Sequence, residues 1–521
     1  MPALRHRSLA FLAGLVIATL VAAAPGAGAV APLDCSSANL QTAIDAATSG
    51  DTISFTGTCV GNFTIDSKSL TLQGSGDAIL DANGTGRPLT VHGPATQVVT
   101  LDDLLVSGGN VTGLDANGGG ILADGGSLAL NRSVVRGNSV TGTGIGAGGG
   151  ISFSPIVGGV QSLTLTDSSV SENTGAGLGP GIGGGIEYVS AGDPLTLVRS
   201  TVSGNTISGI GSSTLGGGLS VEAGTLSVTN STISGNTATA AGISLAAGGG
   251  IDLVSPEGGT ILGSTITQNQ SVGTLGSGGG VTQEAGAFPL TLTSTILAGN
   301  AASTGPDCSN LIFPILSGDD NLIGNTTGCT FASQPGDLLN VPQPVLPLLN
   351  NGGGTLTHFL PLGSPARNAY AAPCATVTDQ RGIARAQSGN CDIGAMEVEV
   401  GFPPLLCTIS GTAAGETITG TARNDTICGE NGNDTLSGGG GGDLLVGGLQ
   451  HDTLDGNQGN DVLRGKEGRD TLVDSTGADW FFGGYGADSI DSLDTVADDT
   501  VDGGRGVDAC THDLGDSVTS C

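Results

Sequence analysis

An acidic side chain returns every nine residues through the C-terminal region, and a chain with that period is committed to stacking identical turns. Glu416, Asp425, Asp434, Asp443, Asp452, Asp461, Asp470, Asp479 and Asp488 form the column without insertion. Two positions after each stands an apolar residue: Ile418, Ile427, Leu436, Leu445, Leu454, Leu463, Leu472, Phe481 and Ile490. Glycines lead into the acids, as in Gly429-Glu-Asn-Gly-Asn-Asp-Thr-Leu. Glycine enters a tight turn without a Cβ penalty. Three residues of short strand follow, the apolar one turned inward. Two nonapeptides make one coil, so alternate repeats stack on opposite edges. One edge carries Glu416, Asp434, Asp452, Asp470 and Asp488, the other Asp425, Asp443, Asp461 and Asp479.

Stacked coils lie ~4.8 Å apart, and like charges at that spacing repel by roughly 3 kcal/mol per pair at an effective dielectric near 20. Such a ladder does not close unaided. A hard dication between coils resolves it, and Ca²⁺ accepts the irregular oxygen shell that aspartates and turn carbonyls offer. Metal binding is then coupled to folding of this region. The fourth-place glycine is replaced at Ala414, Arg423 and Gln450, which weakens the first two repeats and the fifth. Asp434, Asp443, Asp461, Asp470 and Asp488 are therefore the first choice of ligands, with Asp425, Asp452 and Asp479 after them. Two residues intrude after Asp491. The period then resumes with Asp499 and Asp508, putting Val501 and Cys510 at the apolar place.

These repeats, G-G-x-G-x-D-x-U-x in form, resemble those of the RTX (hemolysin-type) calcium-binding proteins over about a fifth of the chain. The resemblance implies a parallel β-roll in which the sixth-position aspartates and neighbouring carbonyls bind several Ca²⁺ ions. It also implies export, with folding in extracellular calcium.

The amino terminus agrees with that address. Arg5, His6 and Arg7 precede an apolar run from Leu9 to Ala23, and Ala27-Gly-Ala29 offers a small-residue cleavage site. Residues 1–29 read as a secretory signal. The apolar run is short for a bilayer span, and no later stretch could form an integral membrane span. Ten cysteines in an exported chain imply disulfides. Their clustering suggests neighbour pairing: Cys35–Cys59, Cys308–Cys329, Cys374–Cys391, Cys407–Cys428 and Cys510–Cys521. A net charge of −32 argues against nucleic acid as a partner. Half of that excess falls in 407–521, where metal would neutralise part of it.

The first half is a second solenoid. Ser36 to Ala47 has the apolar spacing of a short amphipathic helix, suited to covering the open end of a coil stack. A longer repeat follows. Gly-Gly-Gly plus an aliphatic recurs at Ile121, Ile151, Ile186, Leu219, Ile251 and Val281, at spacings of 30, 35, 33, 32 and 30 residues. Between them comes S-x-[IV]-x-x-N, whose asparagines are Asn138, Asn173, Asn205, Asn236, Asn269 and Asn300. Short strands at a fixed long period predict a parallel β-helix. The variable loops are expected mostly before the Gly-Gly-Gly. The asparagine column is read as side chains bonding to turn backbone rather than as an active site. The fold class expected is all-β: a right-handed parallel β-helix over 30–400, a Pro-rich seam at 401–406, and an RTX parallel β-roll over 407–521.

The Gly-Gly-Gly and Ser-Gly-Asn elements resemble the repeats of polymorphic outer-membrane-type adhesins and of pectate-lyase-kind β-helices. Asp379-Gln-Arg-Gly-Ile-Ala-Arg385 and Cys391-Asp-Ile-Gly-Ala-Met-Glu397 resemble the choice-of-anchor Q domain that ends bacterial surface β-helices. This closing segment covers about 338–400 and implies no particular chemistry. A polysaccharide lyase or uronate epimerase is the alternative, since such enzymes also join a β-helix to RTX repeats. They need a base and neutralisers for sugar carboxylates. Between Leu101 and Asn300 there is no Lys or His, a single Tyr (Tyr188), and Arg at 132, 136 and 199 alone. The composition favours a non-enzymatic stalk or adhesive surface whose loops meet cell-surface glycans or proteins.

Overall fold

Every strand edge needs partners for its N–H and C=O groups, and a chain that repeats its strands at a fixed interval supplies them by stacking on itself. A computed structural model describes residues 32–398 and 407–521, except 76–77, 156–158, 191, 211–212, 255–256, 285–288, 343–347, 350, 352, 361–363, 388, 495–498 and 515. The expected leader and the 401–406 seam lie outside the described residues. Strands Ile121–Ala123, Ser127–Asn131, Val134–Arg136, Ser139–Gly142 and Gly146–Ala147 make one coil, and Ile151–Phe153 begins the next. Among the described residues, successive coils align as parallel sheets of 12, 11, 9, 7 and 6 strands. This is a parallel β-helix.

The register follows the sequence anchors. Ile121, Ile151, Ile186, Leu219, Ile251 and Val281 are direct neighbours up the stack. Val135, Val170, Val202, Ile233, Ile266 and Leu297 form a second such row. Both rows are completely buried in one continuous core. The triplet makes the corner ahead of each anchor. Gly118 has φ +58°, and a Cβ there would lie 2.4 Å from the Ile121 carbonyl oxygen, so only glycine fits. The loop expectation needs correcting. The longest insertion, 154–162, follows the strand after the triplet; only a smaller spread precedes the triplet. The corner before the anchors is too crowded to take extra chain.

The asparagine column is a hydrogen-bonded ladder inside the stack. Each Nδ2 donates to the Oδ1 of the next: Asn173 to Asn205, Asn205 to Asn236, Asn236 to Asn269 and Asn269 to Asn300, all at 2.9 Å. Asp307 accepts from Asn300 and ends the series. A serine row does the same for backbone N–H groups, from Ser133 through Ser168, Ser200 and Ser231 to Ser264.

The helix Leu40–Ala46 has Asn39 as its N-cap and buries Leu40 and Ile44 against the first coils. Lys68 donates to the carbonyls of Ile44, Asp45 and Ala47 at its C-terminal end, where the helix dipole favours a cation. The 355–397 segment lies along the flank of the stack instead of over its end. Gln380 bonds Thr201 and Thr232, His358 meets Ser234, and Ala395 donates to Thr265. All five expected disulfides are present. Among the described residues no helix is long and apolar enough to cross a membrane.

Among the described residues of 407–521 the strands form two parallel sheets of 7 and 6 strands. One row of apolar residues lies between them, from Ile427 through Leu436, Leu445, Leu454, Leu463, Leu472, Phe481 and Ile490 to Val501. Ile490 pairs with Cys510 across the two-residue intrusion. This is the parallel β-roll.

Asn236→Ala would leave buried donors and acceptors of the ladder unpaired, each costing about 1–3 kcal/mol. It is expected to lower the urea midpoint of the β-helix clearly. Ile243→Ala, at a loop residue 85 % exposed, should leave the midpoint nearly unchanged. Equal midpoints for the two variants would show that the ladder is dispensable.

Candidate metal centre

The roll places every sixth-position acid at the start of a strand, on the inner side of a turn. One carboxylate oxygen has a defined job. Oδ1 of Asp443, Asp461, Asp479 and Asp499 accepts the backbone N–H of Asp425, Asp443, Asp461 and Asp479, at 2.7 to 2.8 Å. On the other edge, Asp434, Asp452, Asp470, Asp488 and Asp508 accept from Glu416, Asp434, Asp452, Asp470 and Asp488, at 2.8 to 2.9 Å. All eight expected ligand positions, Asp425 to Asp488, therefore stand in two columns, one acid per coil on each edge.

The second oxygen separates them. Oδ2 of Asp434, Asp443, Asp452, Asp461, Asp470 and Asp488 is buried with no hydrogen-bond partner. Oδ2 of Asp425 instead accepts from the N–H and hydroxyl of Thr421, each at 2.7 Å. Thr412 holds Glu416 by both oxygens, its N–H donating to Oε2 and its hydroxyl to Oε1. The early repeats are self-satisfied because threonine fills their second place. Asp452 belongs with the unsatisfied group despite Gln450 in its turn.

The leading glycines show what the orphaned oxygens face. A Cβ on Gly438 would lie 2.4 Å from Asp443 Oδ2 and 2.6 Å from the Gly456 carbonyl oxygen. The corresponding pairs are 2.6 and 2.7 Å at Gly429 (Asp434, Gly447), and 2.4 and 2.6 Å at Gly465 (Asp470, Gly483). A carboxylate oxygen and a carbonyl oxygen thus converge beside each glycine, where any side chain would intrude. Acceptor-only oxygens suit a hard cation such as Ca²⁺. The residues fit the ion.

The carboxyls resist ionising without it. Burial pushes Asp443 up to about 8, with Asp425 and Asp474 adding negative charge nearby. Burial, then the charge of Asp474, takes Asp479 to about 8. Asp470 rises to about 6, mainly by burial. Asp452, Asp461 and Asp488 shift upward for the same leading reason.

Asp474 was missed in the sequence reading. It occupies the leading place of its repeat, where Gly438, Gly447, Gly456, Gly465 and Gly483 stand in the neighbouring repeats. An acid out of register was the available signal.

In the β-helix, Arg132, Arg136 and Arg199 pair with Asp102, Glu172 and Asp167. Asp103, beside Asp102, instead meets Arg423 of the roll. Sequence reading also passed over a buried row: Ser152, Glu187, Ser220, Asp252 and Thr282 are successive neighbours in one sheet. Ser152 donates to Glu187, which burial holds near 7. Asp252 is fully buried, has both oxygens without partners, and is raised well above the usual carboxylate range by burial.

The family profile of the RTX calcium-binding nonapeptide repeat (four copies) matches residues 410–445, 437–472 and 464–494. The roll therefore carries RTX calcium-binding repeats. No curated protein matches the chain. Among solved structures, that of AlyGC, a PL6 family alginate lyase, is similar at 11% identity, covering 88% of this chain and 80% of that one with a TM-score of 0.19. A likeness that slight carries no functional argument.

A carboxyl whose pKa is raised on folding stabilises the fold in acid, and that contribution is lost as pH climbs through the folded value. The loss begins above the ordinary value of 3.8 and is complete at about 6 for Asp470 and at about 8 for Asp443 and Asp479. Chelator-treated protein should therefore show slower amide exchange across 425–490 at pH 5 than at pH 8.5, after correction for intrinsic exchange rates. Calcium should shrink the difference. Faster corrected exchange at pH 5 would contradict the assigned shifts.

Proposed function

We propose that this is an exported calcium-binding protein in which Ca²⁺, held by the turn aspartates, folds and rigidifies the C-terminal roll beside a structural or adhesive β-helix. The observation that carries the reading is the set of buried Oδ2 atoms facing carbonyl oxygens. Asp434, Asp443, Asp452, Asp461, Asp470 and Asp488 are the leading ligands, with Asp479 beside them. Asp425 contributes less, since Thr421 occupies its outer oxygen. The bound ion supplies positive charge where the columns bring carboxylates together. The chain does the rest: each Oδ1 anchors the coil before it, and the glycines keep the turns narrow.

Export is supported by the leader pattern in 1–29 and by the disulfides, which persist in oxidising surroundings. The β-helix offers a rigid body with Ser- and Thr-rich strands, and cell-surface glycans or proteins would meet its loops. The lyase or epimerase alternative gains little from the arginines, because Arg132, Arg136 and Arg199 already face carboxylates.

Hydrogen exchange of the full chain decides the calcium claim. Peptides within 425–490 should exchange fast in EDTA, slow with Ca²⁺, and respond far less to equal Mg²⁺, while β-helix peptides stay protected throughout. Identical exchange with and without Ca²⁺ would sink it. Asp443→Ala with Asp461→Ala, on one edge, should lower calcium stoichiometry in calorimetry. Incubation with uronate polymers separates the two classes. Unsaturated products or altered uronate composition would establish an enzyme; retention on glycans without turnover supports adhesion.

A further inference from the structure

The roll is not uniform, and its exception lies at the repeat Asp474 to Asp479. At Gly429, Gly438, Gly465 and Gly483 a leading glycine leaves open the place where a carboxylate oxygen and a carbonyl oxygen meet. Beside Gly456 the arrangement differs. A Cβ there would lie 2.5 Å from Asp461 Oδ2 and 1.8 Å from Asp474 Oδ2. A carboxylate oxygen has taken the role that a backbone carbonyl has at Gly429, Gly438 and Gly465.

Three carboxylates consequently converge. Asp461, Asp474 and Asp479 each offer an oxygen, and these oxygens lie within 4.8 Å of one another. Their residues are 0 %, 6 % and 1 % exposed. Oδ2 of Asp461 and Oδ2 of Asp474 are both buried without a donor. Oδ1 of Asp474 is already used, accepting from the N–H groups of Ser475 and Thr476. That bond aims Oδ2 away from its own turn and toward Asp461. The buried oxygens of two acids facing each other need a cation or a shared proton between them.

We propose that Asp461, Asp474 and Asp479 form a three-carboxylate site for a hard di- or trivalent cation, distinct from the two-oxygen cradles of the other turns and the tightest site in the roll. The inference rests on the calcium reading of the repeats and adds a ligand that the repeat pattern does not contain. Its physical basis is charge count. A carbonyl contributes a dipole, whereas Asp474 contributes a full negative charge in a buried setting, and cation affinity rises with the number of charged ligands.

Trp480, the only tryptophan in the chain, follows Asp479 directly and makes the site observable. Terbium, which substitutes for calcium at oxygen sites, emits when a nearby indole is excited. Full-length protein titrated with Tb³⁺ should show an early, tight, Trp480-sensitised phase, displaced by Ca²⁺ only at high excess. Asp474→Gly restores the glycine of the neighbouring repeats, so the turn has every reason to fold. It should weaken the early phase at least tenfold. Asp474→Asn, which keeps the shape without the charge, should weaken it similarly. Calcium uptake by the remaining turns, followed by calorimetry, should persist in both variants.

An unchanged early phase in Asp474→Gly would overturn the proposal, and would mean that the facing acids share a proton. So would a sensitised phase no tighter than the bulk of the ions. Failure of the calcium reading itself looks different: wild-type protein would then take up neither calcium nor terbium in the roll.

Discussion

A single contact governs the roll: the carboxylate of one coil accepts the N–H of the aspartate in the coil before it. This bond forces the aspartates into register and draws them into the interior, where Asp443 and Asp461 are fully buried. It uses only one oxygen. The second is carried inside with it, and an ionised carboxyl has no proton of its own to offer. The order of the stack and its electrostatic difficulty therefore have one origin. The inward apolar row supplies one side chain per nine residues, and Cys428, Leu444, Val446 and Val462 add a second buried cluster in the same roll.

The β-helix faces the same geometry and solves it without ions. Its stacked polar column is asparagine, and an amide carries both donor and acceptor. Asn205 takes a bond from Asn173 and gives one to Asn236, so the ladder closes on itself. Replace the amide by a carboxylate at the same spacing and the donor disappears. On the proposed calcium reading, that one chemical difference separates a solenoid whose polar column is satisfied by its own amides from one whose column is completed by a cation.

How much of this could be read from the sequence follows from where the periodicity was strict. The column from Asp425 to Asp488, its inward partners and the five disulfides were visible because each repeats or clusters along the chain. The asparagine column was visible for the same reason. What escaped depended on the neighbour one coil away. Thr421 closing off Asp425 is a local hydrogen bond that the nine-residue pattern does not record. Glu187 and Asp252 become companions only when the Gly-Gly-Gly corners fix the register of their strands. The loops were misplaced because the spread in anchor spacing shows that chain is inserted without showing on which side of the triplet, and the triplet's carbonyl contacts leave no slack there. Asp474 broke the pattern in plain view, but its meaning required knowing that its side chain reaches Asp461 in the coil before it.

Buried acids can be reconciled with a protein interior in two ways, and this chain sets them side by side. Asp252 is sealed among strands of the β-helix, with both oxygens unpartnered and burial holding it far above the ordinary range. The charges of Glu284 and Glu222 push it the same way. The roll carries its acids in a repeating column. Burial raises Asp470 to about 6 and Asp443 and Asp479 to about 8, so these acids resist ionising to different extents. On the proposed calcium reading, a bound cation makes the ionised form favourable in each turn it occupies. In that reading the acids of the roll are met by a metal, whereas at Asp252 burial and the neighbouring glutamates oppose ionisation.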